Sequence, residues 1–142
     1  MPVPVWALLG FATWTLLLLL GTVGVYRWAR ILTGRVPIRE FRADRVEGDD
    51  FYKRAMRAHA NCVENLPVFG AIVLALQAAR VESEPANVLS LLILAGRVAQ
   101  SLVHVGFEQT NAVVSVRFAF FLTQIAGFLG LAAIAASTAF AR

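Results

Sequence analysis

Four apolar runs, at residues 4–26, 58–79, 86–105 and 112–139, occupy most of this 142-residue chain. A water-soluble domain of that length buries only about two thirds of its surface, too little to hide all four. Each run reaches the roughly 20 apolar residues that a helix needs to cross the hydrocarbon core of a bilayer. With 58% hydrophobic and only 15% charged residues, and a mean hydropathy of +0.68, the sequence predicts an all-α integral membrane protein, a four-helix bundle in a single domain over 1–142. The first run is long and carries no Lys or Arg before Arg27. It therefore reads as a retained membrane helix, since a cleavable signal has a basic start and a short apolar core.

The net charge of +4 invites a nucleic-acid reading, but the basic residues are not spread as such a surface requires. Arg27, Arg30, Arg35, Arg39, Arg42, Arg45, Lys53, Arg54 and Arg57 all fall in the connection at 27–57. Clustered basic residues beside membrane segments mark the cytoplasmic side, which places loop 27–57 there and excludes nucleic acid as the partner. Both termini and the short second connection then lie opposite, and the third connection, with Glu108, returns to the side of the first. Tyr26 and Trp28 stand where the first helix should leave the membrane, while Trp14, in mid-span, is expected to pack. Cys62 is the sole cysteine, so no intrachain disulfide forms, and a lone cysteine in a helix usually supplies small packing volume. No motif supports a metal site. In the fourth run Gly127 and Gly130 stand among alanines, a small-residue surface that is either a helix interface or membrane filler.

Polar residues inside the runs carry the functional signal. At about 100° per residue, Arg57, Asn61 and Glu64 form one narrow stripe of the second helix, and Arg97, Gln100, Ser101 and His104 share one side of the third. Arg117 and Gln124, seven residues apart, nearly superpose on the fourth. A charge at the bilayer centre costs on the order of 3 kcal/mol, so such stripes are expected to face protein, water or a ligand. Glu64 is the only deep carboxylate against Arg57, Arg97 and Arg117, an imbalance that points to an anionic guest held by planar guanidinium forks. The competing interpretation has Arg57 and Arg117 reaching the headgroups and Glu64 pairing with Arg97 to hold the bundle together. His59 projects away from the Asn61 stripe and reads as interfacial or packing.

In the segments LTGRVPIREFRAD, FYKRAMRAHANCVENLPVF, AGRVAQSLVHVGF and VRFAFFLTQIAG the chain resembles the MAPEG family, membrane-associated proteins of eicosanoid and glutathione metabolism that include microsomal glutathione transferases and the membrane prostaglandin E synthase. The resemblance implies a homotrimer with glutathione, used as co-substrate, between neighbouring subunits near the cytoplasmic side. It assigns Arg57, Asn61, Glu64 and Arg97 to binding glutathione and Arg117 to stabilising its thiolate, and the polar face of the third helix adds Gln100 and His104 as further candidates for binding it. A nearby guanidinium favours charged sulfur and so supplies more nucleophile. Gln100 and His104 replace aromatic or histidine positions of the synthases, Phe118 stands where the prostaglandin synthase has serine, and Pro37 and Ala60 replace further basic residues. The pattern looks most like a bacterial member, implying an inner-membrane location.

The expected function is thus a glutathione-dependent membrane transferase or peroxidase acting on a lipophilic small molecule. Two alternatives use the same residues: a non-catalytic lipid-binding or scaffold member of the family, and a small solute or ion pathway through the bundle.

Overall fold

The computed structural model describes residues 1–42 and 44–141. Its helices α1 (Val3–Leu32), α2 (Asp50–Ala78), α3 (Glu84–Gly106) and α4 (Asn111–Phe140) are all long and apolar enough to cross a membrane, and no strand occurs among the described residues. The protein is an all-α, multi-pass integral membrane bundle. Its exposed large side chains include Leu9, Leu16 and Leu20 on α1, Leu74 on α2, Leu91 and Leu102 on α3, and Leu122 and Leu129 on α4. That coat is one that hydrocarbon, rather than water, solvates.

Two helices run further than their apolar runs. α1 continues to Leu32 and α2 begins at Asp50, so the first connection narrows from the expected 27–57 to 33–49. Hydropathy marks where hydrocarbon ends, whereas backbone hydrogen bonding carries a helix onward into the headgroup layer. At about 1.5 Å per residue, the 30 residues of α1 outreach a hydrocarbon core of roughly 30 Å. A π-helical turn at Leu19–Gly24 interrupts α1 just before this extension. α2 passes through Pro67 without a break, as membrane helices tolerate when neighbours satisfy the freed carbonyl.

The extended ends of α1 and α2 are tied together. Tyr26 and Tyr52 stack with ring centroids 4.4 Å apart, and Arg27 Nε donates to Tyr52 Oη at 2.8 Å. Arg30 lies over the Tyr26 ring at 3.7 Å and bonds the Asp49 carboxylate at 2.5 Å. Asp49 therefore spends its side chain on Arg30 instead of capping α2, and its own N–H donates to Tyr26 Oη at 3.1 Å. Tyr26 thus holds the first connection from within the last two turns of α1, which run on past it to Leu32, and Trp28 is exposed. Gly48 has φ +143°, and a Cβ there would stand 2.9 Å from Tyr26 Oη. Both its backbone conformation and the space require glycine.

The helix starts and the core are conventional in their physics. Ser83 Oγ accepts from Ala86 N–H and Thr110 Oγ1 from Val113 N–H, capping α3 and α4. Phe11, Phe69 and Phe128 form an aromatic chain across α1, α2 and α4, with centroids 5.7 and 5.9 Å apart. α3 and α4 make the most extensive helix contact, and the glycines of α4 allow it. A Cβ on Gly127 would stand 2.8 Å from Ile93 Cγ1, and one on Gly130 3.0 Å from Leu89 Cδ1. These two glycines are interface rather than filler. Residues 1–3 share a hollow with 81–84, and Lys53 and Arg54 share one with Gln109. The first and third connections therefore stand at one end of the bundle.

Gly127→Val should destabilise the detergent-solubilised protein by about 1–3 kcal/mol through overpacking against Ile93, read as a lowered thermal midpoint. Gly21→Ala, where a Cβ meets nothing within 4 Å, should leave that midpoint nearly unchanged.

Candidate functional site

At the end of the bundle shared by the first and third connections lies a cavity of about 390 Å³, lined by Asp50, Lys53, Arg54, Arg57, Asn61, His104, Gln109 and Arg117. Four residues singled out from sequence, Arg57, Asn61, His104 and Arg117, meet here from three helices. α2 contributes Asp50, Lys53, Arg54, Arg57 and Asn61 at helical spacing, and the close of α3 and the first turns of α4 supply His104 and Arg117. Arg54 pairs with Asp50 one turn before it, and its Nε donates to the Val105 carbonyl at 3.3 Å, which fastens α2 to the last turn of α3 beside His104. With that pair closed, Lys53, Arg57 and Arg117 line the cavity without an ion-pair partner among the described residues. Arg117 Nε is buried with no hydrogen-bond partner among them. A buried guanidinium N–H without an acceptor is costly, so this position favours an anionic guest.

A family model for the MAPEG family matches residues 3–137. The chain belongs to the MAPEG family. That places it among membrane proteins of glutathione and eicosanoid metabolism. No match is found among curated proteins or among solved structures.

The remaining sequence-selected residues of this MAPEG chain do not line the cavity. Gln100 is buried and its amide is engaged: Nε2 donates to the Arg117 carbonyl at 3.0 Å, and Oε1 accepts from Gln124 Nε2 at 3.1 Å. Gln124 also donates to the Phe120 carbonyl at 2.9 Å. The two glutamines therefore clamp α3 to α4 along the turns that carry Arg117. Gly96 lies against this pair, where a Cβ would stand 3.4 Å from Gln124 Cγ, in van der Waals contact. Arg97 is 1% exposed, with its guanidinium carbon 5.5 Å from the centre of the Phe11 ring. Its Nε and Nη2 find no partner among the described residues. A desolvated cation over an aromatic face recovers on the order of 2 kcal/mol, which offsets only part of its burial. Ser101 donates to the Arg97 carbonyl at 2.8 Å and contacts Cys62 Sγ at 3.5 Å, so the sole cysteine is a packed core group.

Glu64 is exposed on the outer side of the bundle. No Glu64–Arg97 ion pair occurs among the described residues, so the pairing weighed from sequence does not hold the bundle together. α2 carries Arg57 and Glu64 on its outside, whereas the polar stripe of α3 turns wholly inward. Helical periodicity gives the faces but cannot say which of two polar faces the bundle encloses.

Lys53, Arg54 and Asp50 escaped notice because 27–57 reads as a loop. A signal was present: Lys53, Arg57, Asn61 and Glu64 continue one face at steps of three and four, so extending the period backwards by two turns would have found them.

Gln100→Leu should cost about 1–3 kcal/mol of stability, because it strips the buried Gln124 amide of a partner. The double substitution with Gln124→Leu should cost less than the sum of the single changes. Unfolding of all four proteins in a double-mutant cycle checks this coupling.

Proposed function

We propose that the protein is a glutathione-dependent membrane transferase or peroxidase, which activates the tripeptide's thiol for attack on a lipophilic electrophile or hydroperoxide. The observation that carries this reading is the convergence of Lys53, Arg57 and Arg117, without ion-pair partners, on one cavity. Glutathione offers two carboxylates and, once ionised, a thiolate. Three cations match the three anionic groups, and the amide oxygen of Asn61 can accept from the tripeptide's one ammonium group. In this reading Lys53 and Arg57 hold carboxylates, Arg117 holds the sulfur as thiolate, and Gln100 fixes the helix turn from which Arg117 extends. The apolar partner arrives through the bilayer. The exposed, stacked Phe118 and Phe121, with ring centroids 6.4 Å apart, offer it an aromatic surface one residue and one turn beyond Arg117. Holding both reactants in contact supplies much of the acceleration when the thiol itself is reactive.

The family and the outward position of Glu64 support a homotrimer. Glu64 lies midway along α2, about 21 Å from either end, where hydrocarbon would surround it in a lone protomer. A second copy packed on this face would cover Glu64 and bring its own residues toward Arg57. The basic first connection supports a cytoplasmic position for this end of the bundle, in an inner membrane if the source is bacterial.

A second reading, a non-catalytic lipid-binding member, is favoured by a separate groove of about 610 Å³ lined by Ile72 and by alanines that include Ala71, Ala75, Ala78, Ala132 and Ala135 of α2 and α4. An acyl chain fits such a surface, and the arginines would then hold a lipid headgroup.

Calorimetric titration of reduced glutathione into the purified protein separates the two. Saturable binding is expected, weakened in Arg57→Leu by roughly 10-fold or more, the loss of about 1.5–3 kcal/mol for a charged hydrogen bond. Arg117→Leu should retain binding but lose conjugation. Absence of binding by folded, oligomeric protein would overturn the transferase reading and favour the lipid-binding one.

A further inference from the structure

The proposed reaction must dispose of a proton, and most of the cavity cannot accept it. Arginine does not deprotonate in proteins, and a lysine ammonium is a donor only. Asn61 and Gln109 are neutral amides without useful basicity. Asp50 is committed to Arg54. His104 remains. It is 3% exposed yet lines the cavity, and its imidazole forms no hydrogen bond with another described residue. His104 is also fixed in place: Arg54 bonds the carbonyl of the next residue, Val105, and the Gln100 clamp to Arg117 lies one turn earlier on α3. A neutral imidazole is the side chain suited to taking and returning a proton near neutral pH.

We infer that His104 is the proton acceptor for the glutathione thiol, a catalytic residue working beside Arg117. This inference rests on the glutathione reading of the cavity. In the step, the S–H bond breaks, its electron pair stays on sulfur and the proton passes to an imidazole nitrogen, giving thiolate and imidazolium. The thiolate then forms a C–S bond with the β-carbon of a conjugated carbonyl compound. The displaced π electrons move toward the carbonyl oxygen as an enolate, and the imidazolium returns the proton to the α-carbon. No proton is gained or lost overall.

The groups facing His104 are Asp50, Lys53, Arg54, Arg57 and Asn61 from α2, Arg117 from α4 and Gln109 from the third connection. This largely cationic wall opposes an imidazolium in the empty site. The carboxylates of the bound tripeptide offset the wall, so proton transfer is coupled to binding: His104 takes the proton when its guest is in place.

The test follows thiolate and proton together in the full-length protein. Glutathione is mixed with the protein in weakly buffered detergent solution while the ultraviolet band of the thiolate and a pH-indicator dye are recorded. In wild type the thiolate should form with much less than one proton released per site. His104→Asn and His104→Gln should still bind glutathione by calorimetry, but form thiolate roughly 10²-fold more slowly, or only with release of a full proton. The pH profile of thiolate formation should also change in both variants. One proton released per thiolate in wild type would overturn the role of His104 without touching the glutathione reading. So would wild-type rate and pH profile in both variants. Wild-type protein that binds no glutathione would overturn the glutathione reading, and this inference with it.

Discussion

A bilayer cannot solvate charge, and the rest of this molecule is arranged around that constraint. α3 meets it by turning Arg97, Gln100 and Ser101 inward, where carbonyls, a second glutamine and the Phe11 ring receive them, and by placing the buried His104 at the polar cavity. α2 meets it only in part. Its upper turns place Lys53 and Arg57 at a polar cavity near the bundle end, but Glu64 is left on the outer surface at mid-helix. A carboxylate facing lipid deep in the bilayer costs on the order of 3 kcal/mol, a penalty that no contact within the single chain offsets. Packing of another copy against α2 would remove the penalty and enclose the cavity at the same time, making assembly and ligand binding two consequences of one stripe.

Within the protomer, the position of Arg117 depends on contacts some way from the cavity. Gly127 and Gly130 let α4 press onto α3, and Gln100, itself held by Gln124, grips the carbonyl of Arg117. The chain of small residues and amides fixes the rotation of α4. The proposed role of Arg117 at a sulfur atom would need that kind of support, since modest misplacement of a reacting group loses much of the rate. Arg54, bridging Asp50 and the Val105 carbonyl, does the same for the α2–α3 side.

Much of this was legible in the sequence. Four apolar runs gave four helices, the resemblance gave the family, and the spacing of Arg57, Asn61, His104 and Arg117 anticipated residues that line one cavity. What escaped is physically instructive. The helical starts at Asp50 and ends at Leu32 were hidden because hydropathy reports the solvent rather than the backbone, and that error hid Lys53 and Arg54. Gln100 carries a polar side chain on the correct face, yet its amide is spent on helix contacts within the protomer. Arg97 and Glu64, natural partners by charge, stand on opposite sides of the question of inside and outside, which periodicity alone does not answer.

The central claim is that the outer face of α2 around Glu64 is covered by protein. A nitroxide attached at Glu64→Cys in a Cys62→Ser background, in proteoliposomes, tests it through collisions with oxygen dissolved in the lipid. A label at Leu16→Cys serves as the lipid-facing reference, since Leu16 is exposed on α1 rather than on α2. An immobilised label at position 64 is expected, with oxygen collisions well below those at position 16. Equal collision rates at the two positions, in protein that still folds, would show Glu64 facing lipid and contradict the account.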